Sequence, residues 1–295
     1  MSPPRSAIAE VHRALLEWYE PRKRAYPWRV RPTPYRVLVS EVMLQQTQAA
    51  RVVAPYRSFL RRFPSVRALA AAPRGDVLRA WSGLGYNRRA LALSDMARAV
   101  VRDHGGRIPS DPDALQGLPG IGPYTAAAVA SLGHGRPEPL VETNVRRVLG
   151  RVAVGGAGAA DPKHMDEIAS VWLDREHPSE WNQALMDLGR EVCRPRPRCE
   201  TCPIRSRCRS AGRVTVSPAV RRQSAFEGSL RQVRGGVIEE LRGRGSSSLG
   251  SLARSLGASP GRVAEAVRAL AEEGLVSAGP AALGGALGGR VRLIS

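Results

Sequence analysis

The stretch Gln116-Gly117-Leu118-Pro119-Gly120-Ile121-Gly122-Pro123-Tyr124-Thr125, continued by the alanine-rich run Ala126 to Leu132, decides how this chain is read. Asp113 to Gln116 has the character of a helix end, and Gly117 is expected to close it as a left-handed cap. Gly120 and Gly122 permit a very tight hairpin whose amides stay uncovered. Pro123 suits the first turn of a second helix, which Gly133 is expected to end. Two glycines ahead of a helix N-terminus form an anion cradle, because free N–H groups and the positive end of the helix dipole point the same way. A plain packing corner between two helices is the simpler alternative. A dinucleotide fingerprint fits poorly, since Thr125 stands where its third glycine belongs and no strand pattern leads into the turn.

The whole string Leu118 to Ala126 is more specific than its glycines. It resembles the helix–hairpin–helix of the endonuclease III and MutY superfamily of DNA glycosylases, in which this hairpin grips a DNA backbone phosphate. The resemblance implies phosphate binding by Leu118, Gly120 and Gly122. It also implies an all-α fold, with a six-helix barrel over about 31–136 and an iron–sulfur domain from about 1–30 plus 137–212.

Composition agrees with a polyanionic partner. The chain has 295 residues, enough for two or three compact units, and a net charge of +19. Lys23 and Lys163 are its only lysines, so the positive charge is nearly all arginine, which binds phosphate in bidentate geometry. No apolar run reaches membrane-spanning length and no signal-peptide core begins the chain, so a cytoplasmic, nucleoid-associated protein is expected. In that compartment four cysteines point to metal ligation or free thiols ahead of disulfides.

Ala7, Val11, Ala14, Leu15 and Trp18 recur at helical spacing. Tyr26-Pro27-Trp28-Arg29 interrupts this helix, and Tyr35 to Phe63 is expected to form one long helix. That helix carries Glu41-Val42-Met43-Leu44-Gln45-Gln46-Thr47-Gln48, where Val37, Leu38, Val42 and Leu44 surround the carboxylate. A glutamate in a helix is ordinarily a solvated residue. This string, however, is similar to a signature of adenine DNA glycosylases, the MutY family, whose glutamate is the catalytic acid. The match carries that role to Glu41, sets Leu44, Gln46 and Thr47 against the lesion pair, and gives Trp28 and Arg29 to the pocket of a flipped adenine.

Ser65 suits the N-cap of a short helix, and Trp81-Ser82-Gly83-Leu84-Gly85-Tyr86 is a glycine turn ahead of a helix from Arg88 to Val101. By resemblance Tyr86 wedges into the duplex beside the lesion, whereas Asn87 departs from the family's second tyrosine. Val141-Glu142-Thr143-Asn144-Val145-Arg146-Arg147 matches a family motif that carries aspartate where this chain has Glu142, one methylene longer. Asn182 to Gly189 matches another, which places Gln183 near the adenine.

Cys193, Cys199, Cys202 and Cys208 give C-x5-C-x2-C-x5-C, and Pro195, Pro197 and Pro203 forbid a regular helix between them. Four soft thiolates suffice for one 4Fe–4S cluster or one zinc ion, and the presence of only one C-x2-C knuckle favours iron–sulfur. The superfamily's cluster loop has the same pattern with one more residue in its first interval. Arg194, Arg196, Arg198, Arg205, Arg207 and Arg209 make the loop strongly basic.

A polar linker over 213–230 is expected to lead into a small winged-helix-like domain over 231–295. Arg231 to Arg242, Leu249 to Leu256 and Pro260 to Gly274 supply its helices, and Leu275-Val276 pairs with Val291 to Ile294 as a wing. The tail is too short and too helical to be the β-rich domain with which many family members read 8-oxoguanine.

The expected activity is monofunctional base excision on double-stranded DNA containing a mismatch or 8-oxoguanine, by a monomer. By resemblance, Glu41 is the acid that would protonate the adenine and Glu142 the carboxylate that would stabilise the oxocarbenium-like sugar. Tyr124 stands where bifunctional relatives carry a Schiff-base lysine, so no amine nucleophile is available there. A thymine or uracil mismatch glycosylase of the same fold, and a non-catalytic iron–sulfur DNA-binding protein, are the alternatives.

Overall fold

Amphipathic segments and proline starts build nearly all the secondary structure. The computed structural model describes residues 4–156, 161–213 and 225–295. Fourteen of its helices frame the account: α1 Arg5–Tyr19, α2 Pro34–Leu44, α3 Ala49–Arg62, α4 Val66–Ala71, α5 Arg74–Ala80, α6 Arg88–Asp103, α7 Pro112–Gln116, α8 Pro123–Ala128, α9 Thr143–Leu149, α10 Pro162–Trp172, α11 Pro178–Glu191, α12 Leu230–Arg244, α13 Leu249–Leu256 and α14 Pro260–Glu272. The chain packs as two units, one of 1–41, 108–117 and 121–220, the other of 42–107, 118–120 and 221–295. No described helix is long and apolar enough to cross a membrane.

In the first unit Val11, Leu15 and Tyr19, one face of α1, are buried with Val148, Trp172, Trp181, Leu185 and Leu188 from α9, α10 and α11. Glycine sets one close approach here. A Cβ on Gly189 would lie 2.6 Å from the Asn144 Cβ, so α11 and α9 touch only because Gly189 has none.

In the second unit α4 packs on α6, and Tyr56, Phe59, Trp81, Leu93 and Met96 are buried. The tail folds into the same unit. Val237, Val263, Val267 and Val291 form its core, under strands β1 Ser246–Ser248, β2 Val276–Ala278 and β3 Arg290–Leu293. The order is β1-β3-β2 and both pairings are antiparallel, with Ser247 opposite Val291 and Val276 opposite Leu293. The expected wing is therefore present, joined by a third strand and a short helix, Pro280–Leu283, that the sequence did not announce. Of the expected linker, 214–224 lie outside the described residues, as do 157–160 of the glycine-alanine loop.

Two local expectations fail. Tyr35 to Phe63 is two helices, because Gln46 takes φ 53° and Gln48 is extended, and neither conformation continues a helix. Gly117 is right-handed at φ −67°; α7 ends there because Pro119 disfavours helix at Leu118, and the left-handed residue is Gly120 at φ 74°. The second hairpin helix finishes as a π turn over Val129–Gly133, so Gly133 is its last residue as expected. Gly133 also serves packing, since a Cβ there would sit 2.8 Å from the Pro34 Cα.

Candidate active site

Glu41 lies in the last turns of α2, and Tyr124, in the first turn of α8, shares a hydrogen bond with its carboxyl. The residue as a whole is half-buried, yet protein crowds its carboxyl. Burial pushes the pKa from 4.5 to about 7, against the smaller lowering effects of the Tyr124 hydrogen bond and the Arg29 charge, and nearby Glu142 adds to the rise. The Tyr124 hydroxyl is raised well above its usual value by burial and by the Glu41 and Glu142 charges, so it stays a donor. It also lies 3.7 Å from the Met186 Sδ.

Arg29, whose charge reaches Glu41, is held by a two-pronged pair with buried Asp187, Nη1 to Oδ2 at 2.8 Å and Nη2 to Oδ1 at 3.1 Å. Arg190 adds a contact of 3.0 Å to Asp187 Oδ1. Gln183, one turn before Asp187 on α11, accepts from the Tyr19 hydroxyl at 3.1 Å. Trp28 is buried and stacks on Tyr26, ring centroids 4.8 Å apart and nearly parallel. It supports the Arg29 turn rather than presenting an open face. Tyr19, Met186 and Asp187 were not singled out from the sequence. The signal was there in the i, i+4 spacing of Leu15 with Tyr19 and of Gln183 with Asp187.

Glu142 is the N-cap of α9. Its Oε1 accepts from the Val145 amide at 3.0 Å and its Oε2 from Asn144 Nδ2 at 3.2 Å. Glutamate is a less favoured N-cap than aspartate, and here it caps from an extended backbone, φ −108° and ψ 179°. Buried Arg147 ties the cap to the end of α11, donating to Asn144 Oδ1, to the Gly189 carbonyl and, through Nε, to the Cys193 carbonyl, each at 2.7 Å.

Gln46, Thr47 and Tyr86 belong to the second unit, where Arg89 gathers the backbone around them. Its guanidinium donates to the carbonyls of Val42 at 2.7 Å, Met43 at 3.0 Å, Gln45 at 2.6 Å and Leu84 at 3.2 Å, and to Thr47 Oγ1 at 3.2 Å. The same group lies 5.4 Å from the Tyr86 ring centroid and 5.5 Å from that of Trp81. Burial lowers the Arg89 pKa to about 10, still charged at neutral pH. Tyr86 is 47% exposed and held at φ 46°. Leu44 ends α2, half-buried. In the hairpin, no described residue accepts a backbone hydrogen bond from the amides of Gly120 or Gly122.

Cys193, Cys199, Cys202 and Cys208 are free and half-buried and line one pocket together with Val148, Val152 and Ile204. Buried Arg151 donates to the carbonyls of Arg194 at 2.7 Å and Pro195 at 2.9 Å, and its Nη1 lies 3.3 Å from the Cys193 Sγ. Burial pushes the Cys202 thiol up to about 11 and that of Cys208 in the same direction, with the other cysteines adding to both. Among the described residues no three Cys, His, Asp or Glu side chains converge on the position of a single metal ion. Four thiols around one apolar pocket fit a polynuclear cluster, in which each sulfur binds a different iron, better than one zinc.

The chain is similar to known proteins over both units. Residues 39–175 match the model of the HhH-GPD superfamily of base excision DNA repair proteins, and 230–277 match a winged helix-turn-helix DNA-binding family. An adenine DNA glycosylase of Mycobacterium tuberculosis is 45% identical over 236 residues, 77% of each chain. The solved structure of a thermostable thymine-DNA glycosylase superposes with a TM-score of 0.65 at 30% identity, covering 70% of this chain and 97% of that one. A non-covalent endonuclease III–DNA complex gives 0.60 at 22% identity, over 71% and 97%. The fold is the helix–hairpin–helix glycosylase fold, followed by a winged helix.

Proposed function

The chain belongs to the adenine DNA glycosylase family, and from that premise we propose that it hydrolyses the N-glycosidic bond of adenine mispaired with 8-oxoguanine or guanine. The observation that carries the reading is Glu41, a carboxyl poised near pH 7 by burial beside Tyr124 and Arg29. An ordinary glutamate near 4.3 is protonated about once in 500 molecules at pH 7; a value of about 7 makes that about one in two. In this reading Glu41 gives its proton to the flipped adenine, and the departing base leaves an oxocarbenium-like sugar. Glu142, fixed by two donors, faces that charge, and water completes the hydrolysis. Tyr124 holds the Glu41 carboxyl and supplies no amine, so the reaction is monofunctional.

Around this chemistry, Arg29, Trp28 and Gln183 shape the adenine pocket. Leu44, Gln46, Thr47 and exposed Tyr86 meet the lesion pair, and the hairpin amides with Leu118 take a phosphate. Cys193, Cys199, Cys202 and Cys208 hold a 4Fe–4S cluster. When bound, it supplies iron–thiolate ligation that fastens the basic loop, and bond breaking is left to the carboxyls. The protein works as a monomer on nucleoid DNA in the cytoplasm.

The likeness to a thymine-DNA glycosylase structure keeps a second reading in view, excision of mismatched thymine or uracil. One assay separates them: single-turnover excision from duplexes carrying A:8-oxoG, A:G, T:G and U:G. Excision of adenine from the first two is expected, and preferential release of thymine or uracil overturns the proposal.

A further inference from the structure

Among the described residues Arg242 and Glu239 of the tail make polar contacts with the rest of their unit. Arg242, in the last turn of α12, has a side chain only 9% exposed. Its Nε donates to the Leu78 carbonyl at 3.0 Å, and its Nη2 to the Asn87 Oδ1 at 2.7 Å. Leu78 lies in the last turn of α5, and Asn87 immediately precedes α6. One guanidinium therefore fastens both ends of the turn that carries Tyr86. Glu239, one helical turn before Arg242, pairs with its Nη1 at 2.6 Å and accepts from Ser82 Oγ, inside the turn, at 3.1 Å.

The sequence gives no local reason for this arrangement. Asn87 occupies an N-cap position, where asparagine ordinarily caps its own helix, yet its side chain makes no capping hydrogen bond and its oxygen goes to Arg242. A side chain withdrawn from its default partner and given to a residue 155 positions away marks a built contact. The turn needs holding, because Gly83, Gly85 and Tyr86 all take positive φ, and for Tyr86 that conformation is unfavourable.

We propose that Arg242, with Glu239, is a positioning residue for lesion recognition, and that the winged-helix tail braces the Tyr86 turn so that the ring enters the duplex in one pose. This rests on the reading of Tyr86 as the wedge. An exposed aromatic on a turn pinned from one side by Arg89 and from the other by Arg242 loses little freedom on insertion, which favours unstacking of the base step.

The test uses the full chain and a mismatched duplex with 2-aminopurine beside the target adenine, whose fluorescence reports unstacking. Arg242→Met and Asn87→Leu should each lower the fluorescence rise and slow single-turnover excision about tenfold, as expected for loss of one charged hydrogen bond. The double variant should be no slower than Arg242→Met alone, because that variant already removes the Asn87 contact. Arg242→Lys should recover part of the signal, since a point charge can serve one of the two acceptors but not both. Leu252→Ala, in the tail core away from the turn, should lower Tm and leave the fluorescence unchanged, which separates bracing from mere stability. If Tyr86→Ala leaves the fluorescence at the parent level, the wedge reading is what fails. If Tyr86→Ala abolishes it while Asn87→Leu behaves as the parent, the bracing proposal is overturned, whether or not Arg242→Met folds.

Discussion

The pocket around Glu41 and the loop around the four cysteines lie in one unit but are completed in opposite ways. In the pocket each polar group has a side-chain partner: Glu41 with Tyr124, Arg29 with Asp187, Gln183 with Tyr19. At the loop Arg147 and Arg151 donate mostly to main-chain carbonyls, and the four cysteines line one largely apolar pocket. The pocket is chemically finished before DNA arrives. On the proposed 4Fe–4S reading four cysteines share one ligand, so losing one cysteine should reach further than losing one pocket residue.

The largest effect expected is therefore from Cys199→Ser. The protein should be brown as purified, with iron and sulfide each about four per chain, and the variant should lose that colour. The loop packs on the core that holds α9 and α11, so DNA affinity and Tm should fall together. Stoichiometric zinc in protein made anaerobically with ample iron would remove the basis of the contrast.

Inside the finished pocket the effects should be chemical rather than structural. Glu41→Gln removes the proton donor and almost no volume, and excision should slow about a thousandfold while lesion binding persists. Its stability should change in the opposite sense. The unfolded chain releases the Glu41 proton near 4.5 and the folded chain near 7, so the parent loses stability as pH rises between those values. Glu41→Gln should accordingly melt higher than the parent at pH 8, and the advantage should vanish below pH 4.5. Near-normal excision by this variant would show that the pocket is built for something other than acid catalysis.

These contrasts also explain what the sequence could and could not disclose. The hairpin turn, the cysteine spacing and the tail helices were legible because each depends on local chemistry: glycines at a turn, thiols at short intervals, apolar periodicity; Glu41 came forward only through the resemblance of its whole string. The break at Gln46 was not, because the helical pattern runs through it and the left-handed turn is stabilised by Arg89, 43 positions later. The role of Arg147 was hidden for the same reason: a carbonyl clamp has no signature until two distant helices meet. Asn87 is the clearest case, a residue whose local propensity points to a cap and whose actual partner lies in another fold module.

Glu142 ranks next. Glutamine keeps an oxygen for the Val145 amide, so Glu142→Gln should preserve the α9 cap while removing the negative charge and the oxygen that accepts from Asn144. Excision should slow at least about a hundredfold, or roughly 2.7 kcal/mol, with a Tm loss no larger than one hydrogen bond explains. An unchanged rate would make Glu142 a cap and nothing more. The pH profile of the parent should show a somewhat smaller change. With Glu41 titrating near 7, the protonated fraction falls roughly fiftyfold between pH 7 and 9, and single-turnover excision should fall with it and level off below pH 6. A flat profile over that range would detach the rate from this carboxyl.

The smallest effect should come from Glu142→Asp, and it is the most discriminating about geometry. Shortening the side chain by one methylene draws the carboxylate back by about 1.5 Å if the backbone does not follow, and catalytic alignment is sensitive to about 1 Å. Two structural facts argue that the backbone can follow. The N-cap residue is extended and free of helical constraint, and aspartate is a better N-cap than glutamate, so the Val145 amide should pull the shorter acid into place. Against this, Gly189 presses α11 onto Asn144 and Arg147 clamps the start of α9, which limits how far the cap can move. The balance predicts an active variant, faster or slower than the parent by less than about tenfold, with Tm equal or slightly higher. A loss as large as that of Glu142→Gln would mean that the clamp wins and that the longer acid is matched to a site the shorter one cannot reach.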